Sequence, residues 1–152
     1  MRVLLQRVSG ASVTIDGAEV GTIGKGVLLL VGVTHQDSQR EADFLADKCA
    51  NLRVFDDENG VMNRSLLDVG GEALVVSQFT LYGDTRRGRR PSYVEAAPGP
   101  VSEPLYEQFV KRLRDLGVTV ATGRFGADMK VSLTNDGPCT IWLTKEPETA
   151  SV

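Results

Sequence analysis

The chain has 152 residues, of which 41% are hydrophobic and 24% are charged, the composition of an ordinary single-domain globular protein. Its net charge of −3 excludes a generally basic nucleic-acid-binding surface, and its longest apolar run, Val27–Val33, is too short to span a bilayer. The N-terminal residues lack a signal-peptide pattern, and the two cysteines, Cys49 and Cys139, lie far apart. These features favour a reduced cytoplasmic protein without a metal site.

Strand patterns dominate the first part of the chain. Arg2–Ser9 and Ala11–Ile15 are predicted as two strands, and Glu19–Ile23 as the return strand after a turn at Asp16-Gly17. The apolar run Val27–Val33 predicts a central strand. Together these segments indicate a sheet with antiparallel neighbours.

The single histidine, His35, follows the central strand in a polar turn. One histidine cannot form a multi-histidine zinc site. We expect His35 to be a solvated turn residue rather than a catalytic base. A Ser-His-Asp mechanism is then excluded for every serine of the chain.

Two main helices are predicted. The first follows a capping box at Ser38–Glu41, and its apolar stripe includes Cys49, which we therefore expect to be a packing residue. The second is predicted to begin at Ser102, after a turn at Pro98–Pro100, and to end at Gly117.

An apolar strand, Ala73–Val76, leads directly into Ser77, Gln78 and Thr80, with Phe79 between them. Buried polar groups without hydrogen-bond partners cost roughly 1–3 kcal/mol each, so these side chains require partners or solvent. Two interpretations follow: the strand simply reaches the surface, or its end forms part of a site.

The last third of the chain predicts strands over 118–122, 129–134 and 139–143, with Asn135–Pro138 interrupting the hydrogen-bonded ladder. Many short strands and two helices predict an α+β fold, with a mostly antiparallel, barrel-like sheet covered by the helices in β/β/α layers. The predicted domain comprises residues 1–145, followed by a flexible tail over 146–152.

Four arginines, Arg86, Arg87, Arg89 and Arg90, form a positive patch on an otherwise acidic chain. A solvated loop is one interpretation. The other is contact with phosphate groups, because a guanidinium presents a planar fork of donors that matches them.

Two blocks, Ser77-Gln78-Phe79-Thr80-Leu81 and Asn135-Asp136-Gly137-Pro138-Cys139-Thr140, together resemble the D-aminoacyl-tRNA deacylase (D-tyrosyl-tRNA(Tyr) deacylase) family. Leu5–Val8, Arg90–Tyr93 and Thr122–Met129 resemble further family segments in the same order. The resemblance extends from Met1 to about Leu143.

This resemblance implies an editing hydrolase that cleaves the ester of D-aminoacyl-tRNA, and of glycyl-tRNA mischarged on tRNA(Ala). It further implies a cytoplasmic homodimer that uses tRNA as its substrate, without a cofactor, a metal or a membrane. Cys139 and Tyr93 stand where valine and phenylalanine are commoner in the family.

The resemblance places the catalytic region at Ser77, Gln78, Phe79 and Thr80. Backbone N–H groups at Phe79 and Thr80 suit an oxyanion, and Gln78 can donate to and accept from the substrate. A neutral hydroxyl needs an adjacent base to become a nucleophile, so we expect Thr80 to position the substrate while the ribose 2′-hydroxyl assists water. Ser77 is expected to be a structural hydrogen-bonding partner.

In the family, the Gly137-Pro138 peptide bond is cis, and the pair enters the active site of the other subunit and rejects L-amino acids by steric clash. The residues themselves leave cis and trans open, and a related subgroup has the trans form. Arg7 is expected either to brace this loop or to form an ordinary ion pair. Phe125, Ala127 and Met129 are expected to line an adenosine pocket, with core packing as the alternative.

Two other functions remain open from the residues. One is a non-catalytic RNA-binding module that uses Arg86–Arg90, although aromatic residues for base stacking make up only 6% of the chain. The other is a small-ester hydrolase that depends on Thr80 or Ser77.

Overall fold

A six-stranded mixed sheet forms the framework of the computed structural model, which describes residues 1–148. The strands are β1 (Arg2–Ile15), β2 (Ala18–Ile23), β3 (Gly26–Gly32), β4 (Phe55–Asp56), β5 (Met62–Arg64), β6 (Glu72–Ser77), β7 (Thr119–Thr122) and β8 (Lys130–Thr144). The helices are α1 (Gln39–Asn51), α2 (Leu66–Val69) and α3 (Gly99–Asp115). Strands β4 and β5 form a separate hairpin. The dipeptide Asn59-Gly60, which lies between them, is typical of a hairpin turn and predicts this pairing from the sequence.

The main sheet has the strand order β2-β1-β3-β6-β7, and β8 pairs with the other edge of β1. Strand β1 is antiparallel to each of its neighbours, whereas β3–β6 and β6–β7 are parallel pairs. A Cβ atom on Gly21 would lie 2.6 Å from the carbonyl oxygen of Thr122, so glycine allows β2 to approach β7 and nearly close the sheet. The predicted α+β class is confirmed.

The prediction of two strands before residue 16 is wrong, because Arg2–Ile15 form one continuous strand. Its first half pairs with β3 and its second half with β2, while β8 pairs with it along both halves. Gly10 therefore keeps a partner, Thr134, at the position where the sequence suggests a break.

Strand β8 is likewise continuous, although two separate strands are predicted there. The predicted interruption of the ladder is nevertheless present. Pairing moves from Val8↔Asn135 to Gln6↔Thr140, so residues 136–139 on β8 face the single residue Arg7 on β1. The four residues Asp136–Cys139 thus form a bulge in a strand, which we call the Gly-Pro bulge (residues 136–139).

Helix α1 begins with the predicted capping box, in which Ser38 and Glu41 bond reciprocally. Helix α3 starts at Gly99 rather than at Ser102, so the predicted turn at Pro98–Pro100 is wrong. Proline fits the first helical turn because the N–H that it lacks would have no intrahelical partner there.

The main core lies between one face of the sheet and helices α1 and α3. A smaller apolar cluster lies on the opposite face of the sheet, which curves around it. Cys49 is fully buried in the main core, which confirms its packing role, and burial raises the pKa of its thiol to about 12.

The N-terminal ammonium of Met1 is buried at the end of the sheet. It donates to Asp37 Oδ1 at 2.9 Å and to the carbonyl oxygen of Lys145 at 2.8 Å. Burial raises the pKa of Asp37, while hydrogen bonds from the Thr34 amide and from this ammonium act in the opposite direction. A buried charge pair therefore fastens the start of β1 and the end of β8 to the turn after β3.

Of the predicted tail, 146–152, residues 149–152 lie outside the described residues. Glu146 contacts both Arg2 and Tyr82. Within residues 1–148, no helix has the length and apolar character needed to cross a membrane.

Candidate active site

A cavity of about 510 Å³ opens where three parallel strands end. Strands β3, β6 and β7 run in the same direction, so their carboxyl ends meet at one edge of the sheet. Ligands of sheets with parallel strands commonly bind at such an edge. The cavity therefore collects residues from chain segments that are far apart in the sequence.

The seven residues predicted for the catalytic region and the adenosine pocket all line this cavity. They are Ser77, Gln78, Phe79, Thr80, Phe125, Ala127 and Met129. Other lining residues carry no signal in the sequence that distinguishes them from core or turn positions: Val31, Val33, Val76, Ala97, Gly99, Ser102, Gly126, Asp128 and Val131.

The polar side of the cavity is a single 3₁₀ turn, Phe79–Tyr82, that follows β6. The backbone N–H of Gln78 donates to the Val31 carbonyl at 2.7 Å and holds the start of this turn against β3. A Cβ on Gly32 would lie 3.0 Å from Leu81 Cβ and 3.1 Å from the Gln78 carbonyl oxygen. Glycine at position 32 therefore allows the turn to lie directly on the strand.

The side chains of this turn are hydrogen-bonded to each other. Gln78 Nε2 donates to Thr80 Oγ1 at 2.6 Å, so the carbonyl oxygen of the Gln78 amide faces away from Thr80. The amides of Phe79 and Thr80 have no acceptor within residues 1–148, as expected at the start of a 3₁₀ turn. Two residues that line the cavity thus have backbone donors without an acceptor in the described chain.

Asp128 is the one ionisable residue among those that line the cavity in the described chain, and its side chain is 95% exposed. His35 is exposed, does not line the cavity, and bonds the Val94 carbonyl through Nε2 at 2.8 Å. No cluster of three or more metal-ligating side chains occurs between residues 1 and 148. Within residues 1–148, the hydroxyl of Thr80 is hydrogen-bonded to the Gln78 side chain and to no carboxylate or imidazole.

The apolar side of the cavity is held by α3 and by the segment after β7. The Phe125 ring packs against Tyr106 with ring centroids 6.1 Å apart, and Tyr106 Oη donates to the Val75 carbonyl at 2.9 Å. A Cβ on Gly123 would lie 2.4 Å from Met129 Sδ. Helix α3 and Gly123 thereby set where the Phe125 ring and the Met129 thioether stand.

The Gly-Pro bulge lies away from the cavity of its own chain, since none of its residues lines that cavity. Gly137 and Pro138 are exposed, and the peptide bond between them is cis. Arg7 is only 9% exposed and fixes the base of the bulge, with Nε donating to the Asp136 carbonyl at 3.0 Å and Nη1 to the Val54 carbonyl at 2.7 Å.

The four arginines of the predicted patch lie on an exposed loop, residues 85–91, closed at its base by an antiparallel bridge between Asp84 and Ser92. We call it the arginine loop. Arg86 is held by Asp84 through several hydrogen bonds, and this guanidinium lowers the pKa of Asp84 to about 2. Within residues 1–148, Arg87, Arg89 and Arg90 form no ion pair.

Comparison with known proteins yields a consistent result. A family model described as D-Tyr-tRNA(Tyr) deacylase matches residues 4–144. A protein of Thermomicrobium roseum named D-aminoacyl-tRNA deacylase is 66% identical over 143 residues, covering 94% of this chain and 93% of that protein. The chain belongs to the D-aminoacyl-tRNA deacylase family. The predicted family and enzyme class, a hydrolase that acts on aminoacyl-tRNA, are thereby confirmed.

Other similar proteins agree. A D-aminoacyl-tRNA deacylase of Clostridioides difficile is 57% identical over 94% of this chain and 96% of its own length. The solved structure of a protein named c-Myc DNA Unwinding Element Binding Protein superposes with a TM-score of 0.91 at 39% identity, covering 96% of this chain and 99% of that one. A probable eukaryotic D-amino acid tRNA deacylase, 17% identical with a TM-score of 0.80 over 93% of this chain and 97% of its own, shares the fold.

Within this deacylase framework, the cavity unites the predicted catalytic region with the predicted adenosine pocket. The turn Ser77–Thr80 and the wall Phe125–Met129 meet, whereas neither the Gly-Pro bulge nor the predicted arginine patch lines the cavity of the same chain. Sequence reasoning did not find the parallel pairing of β3, β6 and β7, because pairing between distant segments leaves no local signal. It noted Tyr93 within a family segment but assigned it no role in the site, although its ring contacts Phe79 at the rim of the cavity.

Proposed function

We propose that the chain hydrolyses the ester between a D-amino acid and the 3′-terminal adenosine of tRNA, and the glycyl ester on tRNA(Ala). Water adds to the ester carbonyl, the bond to the ribose oxygen breaks, and the products are the free amino acid and tRNA. The cavity itself is the observation that supports this proposal most strongly. It joins the polar turn Ser77–Thr80, suited to an ester, to the apolar wall of Phe125, Ala127 and Met129, suited to a nucleobase.

The protein supplies orientation rather than a nucleophile. Thr80 Oγ1 accepts a hydrogen bond from Gln78 at 2.6 Å and has no hydrogen bond to a carboxylate or imidazole within residues 1–148, so a covalent threonine ester is disfavoured. The ribose 2′-hydroxyl, next to the ester, positions or activates the attacking water. Thr80 and Gln78 hold the ester and the ribose in register for that attack.

Charge that develops on the carbonyl oxygen requires donors that are already in place. The amides of Phe79 and Thr80, which have no acceptor within residues 1–148, can donate to that oxygen. Losing one such donor typically slows an acyl-transfer reaction by about 10²–10³-fold in other enzymes. Ser77 lies at the end of β6 and supports the turn.

Selectivity against L-amino acids is assigned to Gly137 and Pro138 of a second copy. These residues are exposed and do not line the cavity of their own chain, so only another subunit can supply them to it. Their carbonyl oxygens would hold the substrate ammonium and occupy the space that an L side chain needs, whereas glycine would pass. The working enzyme is then a homodimer, and Arg7 fixes the bulge that each subunit offers. We place it in the cytoplasm.

Nucleic-acid binding without catalysis is the second candidate. Arg87, Arg89 and Arg90 on the arginine loop are free of ion pairs within residues 1–148. The 39% identical protein of known structure is named for binding DNA, which accords with such a surface. A hydrolase of small esters that depends on Thr80 is the weaker alternative, because no carboxylate or imidazole in the described chain is hydrogen-bonded to that hydroxyl.

Four substrates test the proposed reaction: D- and L-aminoacyl-tRNA, each with a normal or a 2′-deoxy terminal adenosine. We expect the wild-type protein to release the D-amino acid rapidly from normal tRNA and to act slowly on the other three. Equal hydrolysis of the L-ester would refute the selectivity, and full activity on the deoxy substrate would refute assistance by the 2′-hydroxyl. Tight tRNA binding without any release would favour the second candidate.

Subunit mixing tests the proposed action of the bulge across the dimer. One variant carries Gln78→Ala in the turn, and the other carries Pro138→Ala in the bulge. Mixed dimers should contain one site with an intact turn and an intact bulge, and should recover D-selective hydrolysis that neither parent shows. If the bulge served its own chain, mixing would restore nothing.

A further inference from the structure

A pair of exposed aromatic rings stands at the rim of the cavity. Phe79 is 56% exposed and Tyr93 is 41% exposed. Their ring centroids lie 5.1 Å apart with an interplanar angle of 75°, an edge-to-face contact. Val94, which follows Tyr93, is 76% exposed. We call Phe79 and Tyr93 the rim pair.

The rim pair is held in place from several sides. A Cβ on Gly83 would lie 3.2 Å from Tyr93 Cε1 and 3.0 Å from the Thr80 carbonyl oxygen, so Tyr93 packs closely on the turn. The residues after it are tied to the end of β3, because Thr34 Oγ1 donates to the Glu95 carbonyl and His35 bonds the Val94 carbonyl at 2.8 Å. The exposed rings therefore stand on a fixed backbone.

The position of the rim pair relates it to both neighbouring features. Phe79 begins the turn that lines the cavity, and Tyr93 follows Ser92, which closes the base of the arginine loop. The aromatic surface thus lies between the cavity and three arginines that form no ion pair within residues 1–148. Unpaired RNA is recognised by this combination, with bases stacked on aromatic rings and phosphates held by basic side chains.

We propose that Tyr93, supported by Phe79, stacks on the nucleobase that precedes the terminal adenosine of the tRNA. The unpaired 3′ end would extend outward from the cavity, placing its last base in the cavity, the preceding base on the rim pair, and the next phosphates at Arg87, Arg89 and Arg90. Tyr93 is thereby assigned as a binding residue that contacts the RNA beyond its terminal nucleotide and does not contact the amino acid. This inference rests on the proposed function, because it requires an adenosine ester in the cavity.

Substrates of different length test the assignment. The wild-type protein and the variants Tyr93→Ala and Tyr93→Phe are compared on D-aminoacyl adenosine, on the same ester of the dinucleotide CpA, and on tRNA. We expect Tyr93→Ala to lower kcat/KM about tenfold on CpA and tRNA, and to leave the adenosine ester nearly unchanged. Tyr93→Phe should behave like the wild type because the ring is kept.

Binding measurements separate this proposal from the proposed reaction. Calorimetric titration of CpA and of adenosine should show that CpA binds more tightly to the wild type and that Tyr93→Ala abolishes the difference. That result would support the rim pair even if no ester were hydrolysed, an outcome that would refute only the proposed function. Val61→Ala, at an exposed apolar residue of the β4–β5 hairpin, is the matched control and should change the binding of neither ligand.

Three results would overturn the assignment. One is an equal loss on the adenosine ester and on CpA, which would make Tyr93 a structural support of the turn. Another is no loss on any substrate together with unchanged CpA binding. The third is dissociation of Tyr93→Ala into smaller species during sedimentation, which would show that a second copy of the chain covers the rim pair.

Discussion

Arg7 and the arginines of the 85–91 loop carry the same charge in opposite surroundings. Arg7 is 9% exposed, donates to two carbonyl oxygens, and lies 3.5 Å from an Asp56 carboxylate oxygen and 3.8 Å from that of Asp136. Arg87, Arg89 and Arg90 are exposed and form no ion pair within the described residues. The buried guanidinium of Arg7 uses its N–H donors on other parts of the protein and can only position them. The exposed guanidinium groups have N–H donors that remain available to a ligand.

Substitutions in the two groups of arginines are expected to change different measured properties. Losing a buried charge leaves partners unsatisfied and lowers stability, while losing an exposed charge lowers affinity for an anionic ligand and leaves stability almost unaltered. The Met1–Asp37 pair belongs to the buried group, with both partners fully covered.

The largest effect is expected for Asp37→Asn. This change leaves the buried ammonium of Met1 without its counter-charge and should lower the free energy of unfolding by about 4 kcal/mol. Chemical denaturation measures the loss. Asp115→Asn, at an exposed carboxylate paired with Lys111, is the control and should change stability by less than about 0.5 kcal/mol. Equal effects of the two changes would contradict the distinction between buried and exposed charges.

A smaller loss, about 2 kcal/mol, is expected for Arg7→Met, because the buried Val54 carbonyl loses its donor while the two aspartates remain over half exposed. Discrimination between D- and L-aminoacyl-tRNA should also weaken, since the Gly-Pro bulge loses its support. Arg53→Met, at an exposed arginine, should alter neither property. A destabilised variant that keeps full discrimination would separate Arg7 from the proposed selectivity.

Changing Arg87, Arg89 and Arg90 together to glutamine should lower kcat/KM on aminoacyl-tRNA about tenfold without a change in unfolding free energy. The dependence of log kcat/KM on log salt concentration should become shallower by about 2, since each phosphate contact on a single strand contributes about 0.7. Hydrolysis of D-aminoacyl adenosine should remain unchanged. An equal loss on that short ester would contradict a phosphate-binding role.

Arg86→Gln should have the smallest effect, about twofold or less on the same reaction, because Asp84 already occupies this guanidinium. Arg86 holds the pKa of Asp84 at about 2, and removing Arg86 lets this pKa rise toward the ordinary aspartate value of about 3.9. Asp84 is charged at about pH 5 and about pH 8 in both proteins, so the small effect should be the same at the two pH values. A loss as large as that of the triple change would place Arg86 with the free arginines.

Sequence reasoning found the residues of the candidate site more reliably than their arrangement. The block Ser77–Thr80 and the segment Phe125–Met129 are recognisable as strings, and both reach the cavity. Their meeting depends on β6 and β7 being parallel neighbours, which no short window of sequence reveals. The burial of Arg7 depends in the same way on the one position of β1 that faces four residues of β8.

Local physics accounts for what the sequence alone determined. Capping at Ser38–Glu41, the Asn59-Gly60 turn and the burial of Cys49 follow from hydrogen bonds and periodicity within a few residues, and the paired motifs identify the family. Tertiary structure decided which strands pair in parallel, that Asp37 is buried against the Met1 ammonium, and that Tyr93 stands beside Phe79. Each of these depends on contacts between segments far apart in the chain, where a residue's surroundings, rather than its type, set what its charge or ring can do.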